Sequence, residues 1–217
     1  PEAPKLPKSA PPAKPIFTKK VSEFDDADEA WKQAGKPENF KFQSVAKVGG
    51  AHEKEFWTDA SGDKRLFKPV THSGDDFLAE GDEVAYRIGR LIDPKSIEVR
   101  SIRLNGRTGS IQKWRTDLAK KYDFEGMDPA QLSAGEIEQV QREHVIDWLI
   151  ANHDGHAKQF LRAKDGRVYG IDKGQLFKHL GSDRLATDYH PNEVHGEKEP
   201  YYNVLFRAVK AGKVKVD

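Results

Sequence analysis

Two acidic residues in this chain stand beside runs of strongly apolar side chains: Asp154 in "IANHDGHAKQFL" and Asp172 in "VYGIDKGQLFK". A carboxylate next to a core is costly unless it is paired or holds a ligand. Both follow segments that would fix their direction, a helix before Asp154 and a short hairpin before Asp172. Far upstream, Lys68 lies in "RLFKPV", where a strand would aim its ammonium group. Just before that strand, "VGGAHEKEFW" offers Gly49 and Gly50, whose backbone can approach phosphates closely. Phosphoryl transfer needs a cation on the nucleotide phosphates, carboxylates to hold magnesium, and a base or positioning group for the incoming hydroxyl. Lys68, Asp172 and Asp154 match these parts in that order. Taken singly, each has a plainer reading: a surface lysine on a strand, a glycine-pair turn, an Asp-Gly helix stop. The joint order carries the signal.

The elements that must position these residues can be read from periodicity. "FDDADEAWKQAG" predicts a short helix with Asp25 or Asp26 as N-cap, Trp31 facing inward and Gly35 as its stop. "FKFQSVAKVGGAHEKEFWTDASGDKRLFKPV" reads as consecutive antiparallel strands. "DDFLAEGDEVAYRIGRLI" predicts a helix capped by Asp75 or Asp76, with Phe77, Gly81, Val84, Ile88 and Leu91 on its packed face and Asp93-Pro94 ending it. Two further strands, "SIEVRSIRLNG" and "TGSIQKW", turn at Asn105-Gly106. A helix from about Ser133 to Ala151 places Ile137, Val140, His144, Trp148 and Ala151 on one face, with Glu138, Gln141, Arg142 and Glu143 largely on the other. "QFLRAKDGRVYGID" is a hairpin turning at Asp165-Gly166. "EPYYNVLFRAVKAGKV" is a closing helix that turns Tyr202, Leu205, Phe206 and Val209 inward, with Gly212 as its stop.

Composition narrows the function classes. The 217 residues carry 36 lysines and arginines against 35 aspartates and glutamates, so there is no basic field of the kind nucleic-acid binders present. Trp114, Trp148, Phe160 and Phe177 read as core rather than as a stacking platform for bases. The patch Lys113, Arg115, Lys120 and Lys121 reads as a solvated surface. No run is long enough for a membrane span, and the start has no signal-peptide core. With no cysteine, disulfides and thiolate zinc sites are excluded, which fits a cytoplasmic protein. His144, His153 and His156 lack the H-E-x-x-H spacing or cysteine partners of a zinc enzyme; His144 reads as a core histidine, and His179, His190 and His195 as solvated. Residues 1–15 hold six prolines and three lysines and read as an extended linker. The start at Pro1 and the single Met127 suggest a piece of a longer polypeptide. The expected organisation is a linker over 1–20, a sheet-rich lobe over 21–114 and a helical lobe over 115–217.

"WLIANHDGHAKQFL" followed by "YGIDKGQLF" resembles the catalytic loop and metal-binding segment of the HipA-like and phosphatidylinositol 3-/4-kinase-like atypical kinases. Those families carry a motif close to N-x-D-x-H-x-x-N and then a strand ending in I-D-x-G. Asn152, Asp154 and His156 stand in register with the first motif, Asp172 and Gly174 with the second. "LFKP" and "EVAYRIGRLI" resemble the family's lysine strand and the helix after it, so the similarity spans roughly residues 45 to 178. It implies an α+β, two-lobed protein-kinase-like fold with ATP and Mg2+ as cofactors.

The resemblance further implies that Lys68 contacts the phosphates, that Asp154 positions or deprotonates the acceptor hydroxyl, and that Asp172 binds magnesium. His156 would either brace the loop or assist proton transfer. Glu83 is the expected partner of the lysine, with Glu80 in reserve because helical spacing puts it closer to the apolar stripe. "GSIQKW" falls at the family's adenine-binding hinge, so backbone groups around Gln112, Lys113 and Trp114 are expected at the base, with Ile111 nearby. One position departs: the family's second metal ligand is an asparagine, and here it is Gln159, longer by one methylene. The expected function is γ-phosphoryl transfer to a hydroxyl, foremost of a protein serine or threonine. The lipid branch would imply inositol lipids, but the chain lacks a membrane-facing amphipathic segment. The alternatives are a nucleotide-binding pseudokinase or interaction module of a larger protein, favoured by Gln159, and a purely structural domain.

Overall fold

The computed structural model describes residues 21–48, 53–72, 74–118, 123–152, 154–177 and 199–216. The chain runs α1 (Val21–Ala34), β1 (Lys41–Val45), β2 (Glu55–Thr58), β3 (Lys64–Pro69), α2 (Asp76–Ile92), β4 (Val99–Leu104) and β5 (Arg107–Lys113). It continues with α3 (Ala134–Leu149), β6 (Phe160–Arg162), β7 (Val168–Gly170) and α4 (Tyr201–Lys210). Strands β1 to β5 form one antiparallel sheet in the order β1-β2-β3-β5-β4, and β6 and β7 form a separate hairpin. The fold is therefore α+β and two-lobed, as the resemblance implied: an antiparallel-sheet lobe crossed by α2, then a helical lobe with a small hairpin. The linker and glycine-pair expectations, and the histidines at 179, 190 and 195, lie outside the described residues.

The sheet's core is Phe40, Trp57, Phe67, Ile102, Leu104 and Ile111, with Trp31 of α1 packed against it. Strand register places Trp57 of β2, Phe67 of β3, Ile102 and Leu104 of β4 and Ile111 of β5 on the same face of the sheet. The β4–β5 turn has Asn105 and Gly106 at φ 49° and 76°, the left-handed pair a two-residue hairpin turn demands. The second core gathers Phe124, Ile137, Val140, Phe160, Val168, Tyr201 and Leu205. Between the lobes, Ala85, Ile88 and Ile92 of α2 meet Ile146 and Ile150 at the end of α3 and Leu176 of the loop after β7. Arg142 Nη1 adds a hydrogen bond to the Ile92 carbonyl at 3.3 Å.

Three helix faces differ from the sequence pattern, two of them for a visible reason. On α2 the buried residues are Ala79, Gly81, Asp82, Ala85, Gly89 and Arg90, while Phe77, Val84 and Leu91 are exposed. The helix lies so close to its neighbours that small residues are needed: a Cβ on Gly81 would sit 2.4 Å from Leu176 Cδ2. On α3 the buried face includes Glu143 and Asp147, whereas Trp148 is 43% exposed. The acids are inward because a buried lysine meets them there. On α4 Tyr202 and Leu205 are buried as expected, joined by Tyr201, Asn203 and Ala208, while Phe206 and Val209 are only partly buried. Asp25 and Asp26 lie inside α1 rather than capping it. Helix α3 starts at the expected place, with Ser133 as N-cap in a reciprocal capping box with Glu136.

Candidate functional site

Lys68 sits on β3 next to the β5 strand, paired with Ser110 across the ladder. Its Nζ lies 2.7 Å from Asp82 Oδ2 and 3.0 Å from Asp172 Oδ1. One ammonium group thus joins a strand of the sheet lobe, the crossing helix and the loop after β7. Burial by itself would favour the neutral amine, but Asp172 and Asp82 outweigh it, and the lysine's pKa is raised above its ordinary value. Asp82 is buried and also accepts from Ser110 Oγ at 2.7 Å, so β5 fixes its orientation.

The lysine's helix partner is therefore Asp82, not Glu83 or Glu80. Glu83 lies on the next face, where Oε1 accepts from Arg87 at 2.9–3.0 Å and Oε2 accepts from the Ser101 backbone N–H at 2.8 Å. The correction follows from the rotated face of α2: Gly81 is inward as its spacing suggested, but Ala85 rather than Val84 joins it, and Asp82 comes with them.

Asp172 occupies the left-handed backbone region at φ 59° with its side chain half exposed. Such a conformation in a non-glycine residue is held by its surroundings. On one side the Ile171 N–H donates to the Gln159 carbonyl at 2.9 Å. On the other, Gly174 packs against α2 so tightly that a Cβ there would be 3.1 Å from the Leu78 carbonyl.

Asp154, His156 and Gln159 form a second group. Gln159 Nε2 donates to Asp154 Oδ2 at 2.8 Å, and His156 Nε2 lies 3.3 Å from Asp154 Oδ1. His156 Nδ1 accepts from the Lys158 backbone N–H at 3.1 Å, which places the imidazole proton on Nε2, facing Asp154. The ring thus links Asp154 to the turn at Lys158. Asn152, 1% exposed, accepts the Asp154 N–H at 3.3 Å through Oδ1 and donates through Nδ2 to Asp147 Oδ1 at 2.9 Å.

Of the expected hinge residues, Gln112 lines a small cavity of about 40 Å³ between the lobes together with Lys68, Asp82, Glu143, Asp172 and Lys173. Lys113 turns outward to Asp63, 2.5 Å away, and Trp114 packs on Phe56 with ring centroids 5.0 Å apart. The Trp114 N–H is donated to the Lys64 carbonyl. Gly49 and Gly50 lie outside the described residues.

Asp82, Glu143, Asp147 and Lys173 were missed by sequence reasoning. Glu143 and Asp147 continue the Val140 stripe at helical spacing, and a lysine inserted between Asp172 and Gly174 is the complementary signal. The expected metal ligands Asp172 and Gln159 offer hard oxygens, a donor type suited to magnesium, which binds through one or two carboxylates plus phosphates and water. Among the described residues no group of three or more His, Asp or Glu side chains converges, so nucleotide phosphates would have to complete any such coordination. No helix among the described residues is long and apolar enough to cross a membrane.

No family model matches the chain, and no curated protein matches it. Among solved structures it is similar to the Helicobacter pylori proinflammatory kinase CtkA, at 15% identity and a TM-score of 0.47, covering 67% of this chain. The match spans 60% of that chain's length.

Proposed function

We propose that this protein is an ATP- and magnesium-dependent phosphotransferase of the HipA-like and phosphatidylinositol-kinase-like kind, moving the γ-phosphoryl group to a hydroxyl of a protein serine or threonine. The observation that carries this reading is Lys68 held between Asp82 and Asp172. A strand lysine oriented by a helix carboxylate and facing a carboxylate of the other lobe is an arrangement that can place a cation and a metal ligand on the same phosphate chain. Magnesium bound with the nucleotide would neutralise phosphate charge, and Asp172 and Gln159 would hold it. Lys68, held by Asp82 and Asp172, would supply the cation for the phosphate oxygens. Asp154, steadied by His156, Gln159 and Asn152, orients the acceptor hydroxyl and takes its proton. Catalysis then rests on positioning and charge rather than on a covalent intermediate.

The amide of Gln159 favours a second reading. Its Nε2 is committed to Asp154, which holds that carboxylate in place and leaves one amide oxygen for a cation. A nucleotide-binding module with little turnover would have the same Lys68 pairing. Magnesium-dependent ATP consumption separates the two: a phosphotransferase loses it at least about 100-fold in Asp154→Ala, while still binding nucleotide. Nucleotide binding by the wild type with no consumption above that of Asp154→Ala would leave only the binding module.

A further inference from the structure

Lys173 directly follows Asp172 in the loop after β7, and its side chain is 13% exposed. Its Nζ lies 2.6 Å from Asp147 Oδ1 and 2.9 Å from Glu143 Oε2, two α3 carboxylates that are themselves 0% and 4% exposed. Asp147 Oδ1 is shared: it also accepts from Asn152, whose Oδ1 holds the backbone N–H of Asp154. One cation therefore stands at the head of a continuous chain from the residue after Asp172, through α3, to the backbone of Asp154.

The backbone on both sides closes onto these acids. A Cβ on Gly170, at the end of β7, would lie 2.2 Å from Glu143 Oε2, and one on Gly155 would lie 2.8 Å from Asp147 Oδ2. Glycine at both points lets the strand before Asp172 and the loop after Asp154 press against the α3 carboxylates. Glu143 Oε2 and Asp147 Oδ2 have no aligned hydrogen bond among the described residues, so Lys173 is what balances their charge. Buried ion clusters add little net stability over apolar residues of the same volume, so stability alone is a weak reason for this one.

We propose that Lys173 is a positioning residue: by bridging Glu143 and Asp147 it sets the separation and orientation of Asp172 relative to Asp154, the two acids on which phosphoryl transfer would depend. This rests on the phosphotransferase reading. Lys173→Met alone would strand two buried carboxylates and is expected to impair folding. The informative variant is the neutral triple Glu143→Gln, Asp147→Asn, Lys173→Met, which removes cation and anions together. Melting temperature, KM for ATP, kcat and the magnesium concentration at half-saturation are measured for it, for Lys173→Arg and for the wild type.

The triple variant is expected to fold and to keep its KM for ATP within about threefold, while kcat falls and the magnesium half-saturation rises by about 10–100-fold, the usual cost of losing a residue that orients a ligand. Values within about twofold of the wild type would overturn the positioning role and leave the cluster purely structural. Should the triple variant not fold, Lys173→Arg decides in the same way, because it keeps the charge but not the single-atom reach. A raised magnesium half-saturation at unchanged KM supports the role, and unchanged values overturn it. A wild type with no magnesium-dependent ATP binding brings down the phosphotransferase reading itself, and the positioning role with it.

Discussion

Replacing Asp82 by Asn tests whether the geometry around Lys68 has been assigned correctly. Asn keeps the shape of the side chain and one acceptor oxygen but removes the charge from a 7% exposed position. Asp82 Oδ2 accepts from Lys68 at 2.7 Å and from Ser110 at 2.7 Å. A hydrogen bond to a charged group contributes about 1.5–3 kcal/mol and a neutral one about 0.5–1.5 kcal/mol, so two such bonds lose about 2 kcal/mol together. The loss stays below the ~3–5 kcal/mol of a fully orphaned buried charge, because Asp172 still faces the lysine at 3.0 Å. For a chain of this size that lowers the melting temperature by roughly 4–8 °C. Lys68 then pairs with Asp172 alone and draws it from the metal side, so magnesium-ATP affinity should fall about tenfold by calorimetric titration. Glu83→Gln is the control: it disturbs Arg87 and the Ser101 N–H, lowers stability by about 1 kcal/mol and leaves the affinity unchanged. If Glu83→Gln weakened nucleotide binding and Asp82→Asn did not, the pairing of Lys68 would be wrong.

Asp28 of α1 is gripped by Arg90 and Arg100, at 2.8 Å and 2.6 Å, and also meets Arg87 at 3.0 Å. The Arg90 hydrogen bond, opposed by burial and aided by Arg100, pulls its carboxyl down to about 2. A carboxyl depressed on folding adds stability that is complete above its unfolded pKa near 3.8 and is lost as pH falls toward about 2. Asp28→Asn should therefore cost about 2 kcal/mol at neutral pH and flatten acid unfolding across that window, read by circular dichroism against pH. An unchanged acid profile would show that α1 is not clamped this way. Gly109→Ala places a Cβ 2.5 Å from the Lys68 carbonyl and 2.5 Å from Phe67 Cε2. Since a backbone oxygen cannot swing aside, the variant should lose about 1–3 kcal/mol in denaturant unfolding and weaken nucleotide binding by shifting the lysine strand; stability equal to wild type would contradict the close approach.

The α+β class and the order of the elements were legible because periodicity switches cleanly from two to 3.6 residues and the turns carry their own chemistry, as at Asn105-Gly106 and Asp165-Gly166. Lys68 and Asp172 meet as their motif order suggested, and His156 and Gln159 converge on Asp154. What could not be read was which helix face is inward. Apolar periodicity put Phe77, Val84 and Leu91 inside α2 beside Gly81 and Ile88, whereas the close approach to Leu176 turns Ala85 and Gly89 inward with Gly81 and carries Asp82 in with them. The same blindness hid Glu143 and Asp147, which look like solvent residues until Lys173 arrives from a hairpin 26 residues beyond Asp147. Buried charges are legible only with their partners, and those partners are distant in sequence.

The most direct test is thermal unfolding of the wild type and Asp172→Ala with ATP, with magnesium present or chelated. A ligand bound only by the folded protein at about 100 times its Kd adds about 2.7 kcal/mol, or roughly 5–10 °C for this chain length. The wild type should show that rise only with magnesium, and Asp172→Ala should lose it while remaining folded through the Lys68–Asp82 pair. No rise at millimolar nucleotide, or an equal rise in Asp172→Ala or with magnesium chelated, would contradict a magnesium-nucleotide site built on Lys68 and Asp172.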